Sequence, residues 1–255
     1  MTFLTISDVH IKEEGDLSEE LFLSFLSHAI SNDIKKVYLL GDIFDLLVGG
    51  HLLYEEVYPK VFTALRNVLE HNIQIVQLEG NHDFHFENLI KKLLKKWKVK
   101  DSLWTYHNTP LVENYDGKRI LFAHGDEIEI GNETYKRYRR FIRSKPIYFL
   151  ANYLVSPKLT RAIGQNASRK SRLRNTKRYD AKYEEENVRP LFRDSAKAAA
   201  IEYEADIVIC GHSHCFDIFE KETFSYYNNG YLPRSKQCFY YDGNSLGVLD
   251  LNSGK

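Results

Sequence analysis

Apolar positions in this chain follow two alternating patterns. Short continuous runs, Thr2-Phe3-Leu4-Thr5-Ile6, Val37-Tyr38-Leu39-Leu40, Ile73-Gln74-Ile75-Val76-Gln77-Leu78, Arg119-Ile120-Leu121-Phe122-Ala123 and Asp206-Ile207-Val208-Ile209-Cys210, read as buried strands. Between them the spacing becomes helical. Leu21, Phe22, Phe25, Leu26 and Ile30 predict a helix over 17–31, a second covers 55–70, and Leu89, Ile90, Leu93, Leu94 and Trp97 stripe a third over 89–99. From Phe216 to Leu251 short strand runs alternate with turns such as Asn229-Gly230 and Asp242-Gly243, which predicts hairpins or a meander at the second half of a sheet. Strand and helix in alternation predict an α/β fold. With no internal repeat and no disordered linker, 1–255 is expected to be one domain.

The residues just past each strand are more informative than the strands themselves. Strand one runs into Ser7-Asp8-Val9-His10, the second into Gly41-Asp42-Ile43-Phe44-Asp45, the third into Gly80-Asn81-His82-Asp83. The fourth ends in His124-Gly125-Asp126 and the fifth in Gly211-His212-Ser213-His214. In an open α/β sheet, ligands bind beyond the carboxyl ends of strands. One aspartate there reads more simply as a helix cap. Asp8, His10, Asp42, Asn81, His124, His212 and His214, delivered to one rim, read as ligands for metal. Imidazole and hard oxygen donors suit Mn, Fe or Zn better than a soft-metal site. Seven donors exceed the needs of one ion and suit two ions sharing a carboxylate.

These five segments, in order, resemble the motifs of the calcineurin-like metallophosphoesterases. That resemblance implies a four-layer sandwich of two mixed β-sheets between helices and a two-metal phosphoester hydrolase. It implies one ion on Asp8, His10, Asp42 and His214, and a second on Asp42, Asn81, His124 and His212, with Asp42 bridging. His82 corresponds to the family's catalytic histidine, while Asp45 and Asp83 are expected to orient imidazoles from behind. Two divalent ions are implied, with Mn preferred over Fe or Zn.

Residues 127–205 are not needed for that site and are expected to form a helical insert, a cap or lid. From Lys136 to Lys182 fifteen Lys and Arg face a single acid, Asp180. They are interleaved with Tyr135, Tyr138, Phe141, Ile147, Tyr148, Phe149, Leu150, Tyr153 and Leu154, a pattern of interfacial helices on anionic lipid. A metallophosphoesterase with a basic helical cap resembles the UDP-2,3-diacylglucosamine pyrophosphatases of the lipid A pathway, and Ser168-Arg169-Lys170-Ser171-Arg172 is similar to the segment with which they grip substrate. By that resemblance the substrate is a nucleotide-diphospho lipid, contacted by Ser168, Arg169, Ser171 and Arg172, and the products are UMP and a lipid monophosphate. A nuclease or general phosphodiesterase, and a scaffold that has lost catalysis, are the alternatives. The apolar cap argues against a nuclease and the complete ligand set against a silent scaffold.

Net charge is zero, so bulk charge does not drive polyanion binding, and 43% hydrophobic residues suffice for a sizeable core. Three cysteines, Cys210, Cys215 and Cys238, are too few for a disulfide framework, and Cys210 reads as a small buried hydrophobe. The amino terminus reads as a strand rather than a signal peptide, and no run approaches the roughly 20 apolar residues of a membrane span. The expectation is a cytoplasmic protein, peripheral on the inner face of the inner membrane.

Overall fold

The computed structural model describes residues 2–155 and 180–252, and in it the apolar runs become strands of two mixed sheets packed face to face. In the six-stranded sheet β1 (Phe3–Ile6), β2 (Lys36–Leu39), β4 (Gln74–Leu78) and β6 (Trp104–His107) lie parallel, and β12 (Gln237–Tyr241) returns antiparallel along β1, followed by β13 (Leu246–Asp250). In the five-stranded sheet β8 (Lys118–Phe122), β9 (Ile207–Cys210) and β11 (Ser225–Asn228) are parallel, with β7 (Leu111–Tyr115) and β10 (Asp217–Glu220) antiparallel at the edges. The carboxy-terminal strands are thus shared between two sheets rather than forming one meander. A small ladder pairs β3 (Leu47–Val48) with β5 (Asp83–Phe84).

Strand alternation explains the layers, because neighbouring side chains point to opposite faces. Phe3, Tyr38, Val76, Ile120, Phe122, Ile209 and Phe239 fill the space between the sheets. There Tyr38 stacks on Phe122 with ring centroids 3.8 Å apart. The intervening residues Leu4, Ile6, Val37, Leu39 and Ile75 face outward, under α1 (Leu17–Ser31), α3 (Pro59–Glu70) and α4 (Glu87–Trp97). Each large apolar side chain so buried contributes about 1.5–3 kcal/mol.

Helix ends follow local chemistry. Asp16 caps α1 by accepting from the Glu19 N–H at 2.7 Å. The single helix expected over 55–70 is two, α2 (Leu53–Val57) and α3, because Pro59 excludes helical geometry at Tyr58, which sits at φ −127°, ψ 58°. The third helix lies two residues earlier than expected and stops where Lys98 turns left-handed at φ 58°.

The 127–205 segment divides. Its first part forms α5 (Glu133–Ile142), α6 (Lys145–Phe149) and a π-helical turn over Leu150–Leu154. Its last part, α7 (Arg189–Glu202), is no cap. Phe192, Ala196, Ala199 and Ala200 bury against Leu121 and Val208 as the fourth layer, and the alanines let the helix approach closely. The sandwich is therefore helices, sheet, sheet, helix. No helix among the described residues is long and apolar enough to cross a membrane.

Candidate active site

The strands β1, β2, β4, β8 and β9 deliver the predicted residues to one rim across both sheets. Five of them take left-handed backbone: Asp8 (φ 49°), His10 (55°), Asp42 (54°), His212 (65°) and His214 (60°). Such geometry costs non-glycine residues on the order of 1–3 kcal/mol each and persists only where surroundings over-determine it. Backbone bonds between turns supply that, with His10 N–H donating to the Asp42 carbonyl at 3.0 Å and Gly211 N–H to that of His124 at 2.7 Å. Two glycines are sterically required. A Cβ on Gly80 would lie 2.1 Å from Asp42 Oδ1, and one on Gly211 would lie 2.1 Å from Asp8 Oδ2.

Donor atoms of Asp8, His10, Asp42 and His214 all fall within 4.8 Å of one another. His10 Nε2 is 3.2 Å from His214 Nε2, which is 3.3 Å from Asp8 Oδ1. Beside them Asn81 Oδ1 lies 2.9 Å from His212 Nδ1 and 3.1 Å from His124 Nε2. Asp42 Oδ2 stands between the two groups, 3.6 Å from His10 Nε2 and 3.7 Å from His124 Nε2.

In His10, His124 and His212 the second ring nitrogen meets a partner from behind, which leaves the other aimed inward. His124 Nδ1 donates to the Leu40 carbonyl at 2.8 Å. His10 Nδ1 faces Asp45 Oδ1 at 3.7 Å, and His212 Nε2 faces Glu129 Oε2 at 3.4 Å. His82 Nδ1 donates to the Asp45 carbonyl at 2.8 Å, and its ring meets that of His10 edge-on at 4.8 Å. Asp83 departs from expectation: its carboxylate orients no imidazole. It accepts from the backbone N–H groups of Asp42 (2.8 Å), Ile43 (2.7 Å), Phe44 (3.3 Å) and Gly80 (3.0 Å), because both turns point their N–H groups at it.

The electrostatics favour a cation. Burial, then the charges of Asp83 and Asp8, push the Asp42 carboxyl well above its usual range, and burial brings Asp83 to about 7. Burial also opposes charge on Asp8, yet the His214 imidazole and its neighbours hold that carboxyl below the usual range. Desolvation takes His10 down to about 3 and His124 to about 4, so both rings are neutral and able to donate a lone pair. Asp8 Oδ2 accepts from Ser7 Oγ and from the His212 N–H at 2.8 Å, whereas Oδ1 has no hydrogen-bond partner though fully buried. A buried carboxylate oxygen without a hydrogen bond, gathered with the neutral rings of His10 and His124, is chemistry a divalent ion would satisfy.

The sequence profile of the calcineurin-like phosphoesterases matches residues 1–216. The chain belongs to this family. It is a metal-dependent phosphoester hydrolase, and the residues gathered at the rim are its candidate metal site. Among curated proteins it is similar to the UDP-2,3-diacylglucosamine hydrolase of Pseudomonas fluorescens, 25% identical over 211 residues covering 83% of this chain and 78% of that one. It is also similar to the UDP-2,3-diacylglucosamine hydrolase of Haemophilus influenzae, 27% identical over 220 residues covering 86% of each. Among solved structures, an archaeal phosphodiesterase aligns over 98% of this chain and 99% of its own, with 12% identity and a TM-score of 0.49.

Around the site of this phosphoesterase sit residues that sequence reasoning passed over. Glu129 backs His212. Asp126 Oδ2 accepts from Arg139 Nε at 2.8 Å and from the Tyr135 hydroxyl at 3.0 Å. Arg143 reaches Glu79 Oε2 at 3.3 Å and the Gly80 carbonyl at 3.0 Å. Arg139 on α5 and Arg143 at its carboxy-terminal cap stand four apart, a spacing that puts both on one side of the helix and could have marked them as inward-facing. They are therefore not part of an outward cationic face, unlike the exposed Arg137 and Arg140. Ser168, Arg169, Ser171 and Arg172 lie outside the described residues.

Proposed function

We propose that this phosphoesterase cleaves the diphosphate of UDP-2,3-diacylglucosamine, releasing UMP and 2,3-diacylglucosamine 1-phosphate. The observation that carries the reading is a set of exposed apolar side chains on the helices that follow the His124 turn. Phe141, Phe149, Leu150, Tyr153 and Leu154, all on the cap, are between 42 and 67% exposed. Five bulky apolar side chains on one exposed cap suit acyl chains and a lipid surface, and have no use in hydrolysing a polar phosphodiester. The relatives named as hydrolases of this lipid support the same substrate.

Asp8, His10, Asp42 and His214 are assigned to one ion, and Asp42, Asn81, His124 and His212 to a second. The position of Asp42 Oδ2 between His10 and His124 supports a shared ligand. Manganese is the preferred ion, with Fe or Zn as alternatives. Bound there, paired divalent ions polarise phosphoryl oxygens, activate water and neutralise developing charge. The protein's own part is placement and proton transfer. His82, fixed through Nδ1 on the Asp45 carbonyl, carries any second proton on Nε2 and is assigned as general acid to the leaving oxygen. Ser168, Arg169, Ser171 and Arg172 are assigned to the substrate head group. Arg137 and Arg140 are assigned to an anionic membrane surface, at the cytoplasmic face of the inner membrane.

The test is to incubate the Mn-loaded protein with UDP-2,3-diacylglucosamine, a dinucleotide and single-stranded DNA. Release of UMP from the lipid substrate alone is expected. Preferential cleavage of the dinucleotide or DNA would replace the lipid reading with a phosphodiesterase or nuclease, and no turnover of any would favour a silent scaffold.

A further inference from the structure

The loop that carries Asn81 and His82 is gripped at both ends by two consecutive residues at the end of α5. At its start the Gly80 carbonyl accepts from Arg143 Nη2 at 3.0 Å. At its close His85 Nε2 donates to the Ile142 carbonyl at 2.9 Å, filling one of the orphan carbonyls of the helix's last turn. The same guanidinium lies 3.3 Å from Glu79 Oε2, donates to the Asn108 carbonyl at 3.3 Å and stands 3.8 Å from Asp126 Oδ2. Arg143 is 9% exposed at its side chain, Glu79 2% and Asp126 not at all. Glu79 in turn accepts from the Tyr106 hydroxyl and, at 2.7 Å, from the His85 N–H.

We infer that Arg143 is a positioning residue, through which docking of the cap places Asn81 and His82 for reaction. The guanidinium has the planar fork needed to hold a carbonyl and two carboxylates at once, which an ammonium lacks. It touches neither the reacting atoms nor the assigned ligand atoms. Its effect passes through the Gly80 peptide, one residue before Asn81 and two before His82, where a displacement near 1 Å costs on the order of 10²-fold in rate. The cap would then do more than hold lipid: hydrolysis of a small substrate that never touches it would still need its anchor.

The inference rests on the assignment of Asn81 and His82 above. The experiment measures kcat and KM of Mn-loaded Arg143→Ala, Arg143→Lys and His82→Ala on bis(p-nitrophenyl) phosphate, with bound metal determined on each. Arg143→Ala is expected to lose about 10–100-fold in kcat with KM nearly unchanged and both ions retained. Added guanidinium at low millimolar concentration should restore part of that kcat and leave the parent protein unaffected. Arg143→Lys keeps the charge without the fork, should fold if the alanine variant does not, and should also show a lowered kcat. A kcat within about twofold of the parent in the lysine variant, or a loss that accompanies metal loss and ignores guanidinium, would overturn the inference. If His82→Ala is fully active the assignment of His82 falls. If it is inactive while Arg143→Ala is active, only the role of Arg143 falls.

Discussion

The carboxylate of Asp83 accepts the backbone N–H of Asp42 at 2.8 Å, so the last residue of one strand-end turn shapes the turn that presents the central carboxylate of another. A second Asp83 oxygen takes the Ile43 N–H at 2.7 Å. Asp42 is thereby held left-handed with Oδ1 on the His82 N–H at 2.8 Å and Oδ2 facing two histidines.

Asp42→Ala should abolish hydrolysis and lose metal at both positions, because its carboxylate is the ligand proposed to be shared by both ions. Asp8→Ala should disturb mainly the first. Elemental analysis of the purified variants decides this, and two tightly bound ions per chain in Asp42→Ala would exclude the bridging assignment.

His82→Ala should keep both ions yet lose roughly 10²–10⁴-fold in kcat, the usual contribution of a general acid. Its ring hangs on a backbone carbonyl, and its donor atom gathers with those of His10 and Asp45 rather than with Asp8, Asp42 and His214. Unchanged turnover on a soluble diester would remove His82 from the mechanism.

Gly211→Ala should cost metal affinity and activity together, since its Cβ would lie 2.1 Å from both Asp8 Oδ2 and Ser7 Oγ. Something in the first donor group must shift. Wild-type metal content by elemental analysis, together with wild-type kcat, would show that the turn can yield.

The two kinds of cap surface should fail differently. Replacing Phe149, Leu150 and Leu154 by Ser should raise KM for the proposed lipid substrate, each apolar side chain contributing up to about 1.5–3 kcal/mol when buried, while a soluble diester is still hydrolysed. Reversing charge at the exposed Arg137 and Arg140 should weaken sedimentation with anionic vesicles, an effect that fades at high salt. Arg139 is left intact because it is bound to Asp126. Equal loss of lipid and diester hydrolysis would show that these side chains support the site itself rather than hold acyl chains.

Much of this molecule was written in local patterns. Runs such as Val37–Leu40 and Asp206–Cys210 identify strands because alternating faces and turn residues act over a few positions, and Asp8, His10, Asp42, Asn81, His124, His212 and His214 stand out because each comes just after a strand. The helix break at Tyr58 was legible in principle, since Pro59 acts on its immediate neighbour. Local order could not show which sheet each carboxy-terminal strand joins, nor that α7 closes the sandwich while α5 overhangs the site, because hairpins and amphipathic helices look alike until their partners are known. It could not reveal that Asp83 serves backbone N–H groups rather than an imidazole, or that Glu129 stands behind His212. Nor could it separate Arg139 and Arg143, turned in to buried carboxylates, from Arg137 and Arg140, left in solvent. Those four arginines carry one chemistry and share one stretch of chain. What distinguishes them is the side of α5 they occupy and the acids brought beneath it from Glu79 and Asp126, a pairing between distant segments that exists only once the chain has folded.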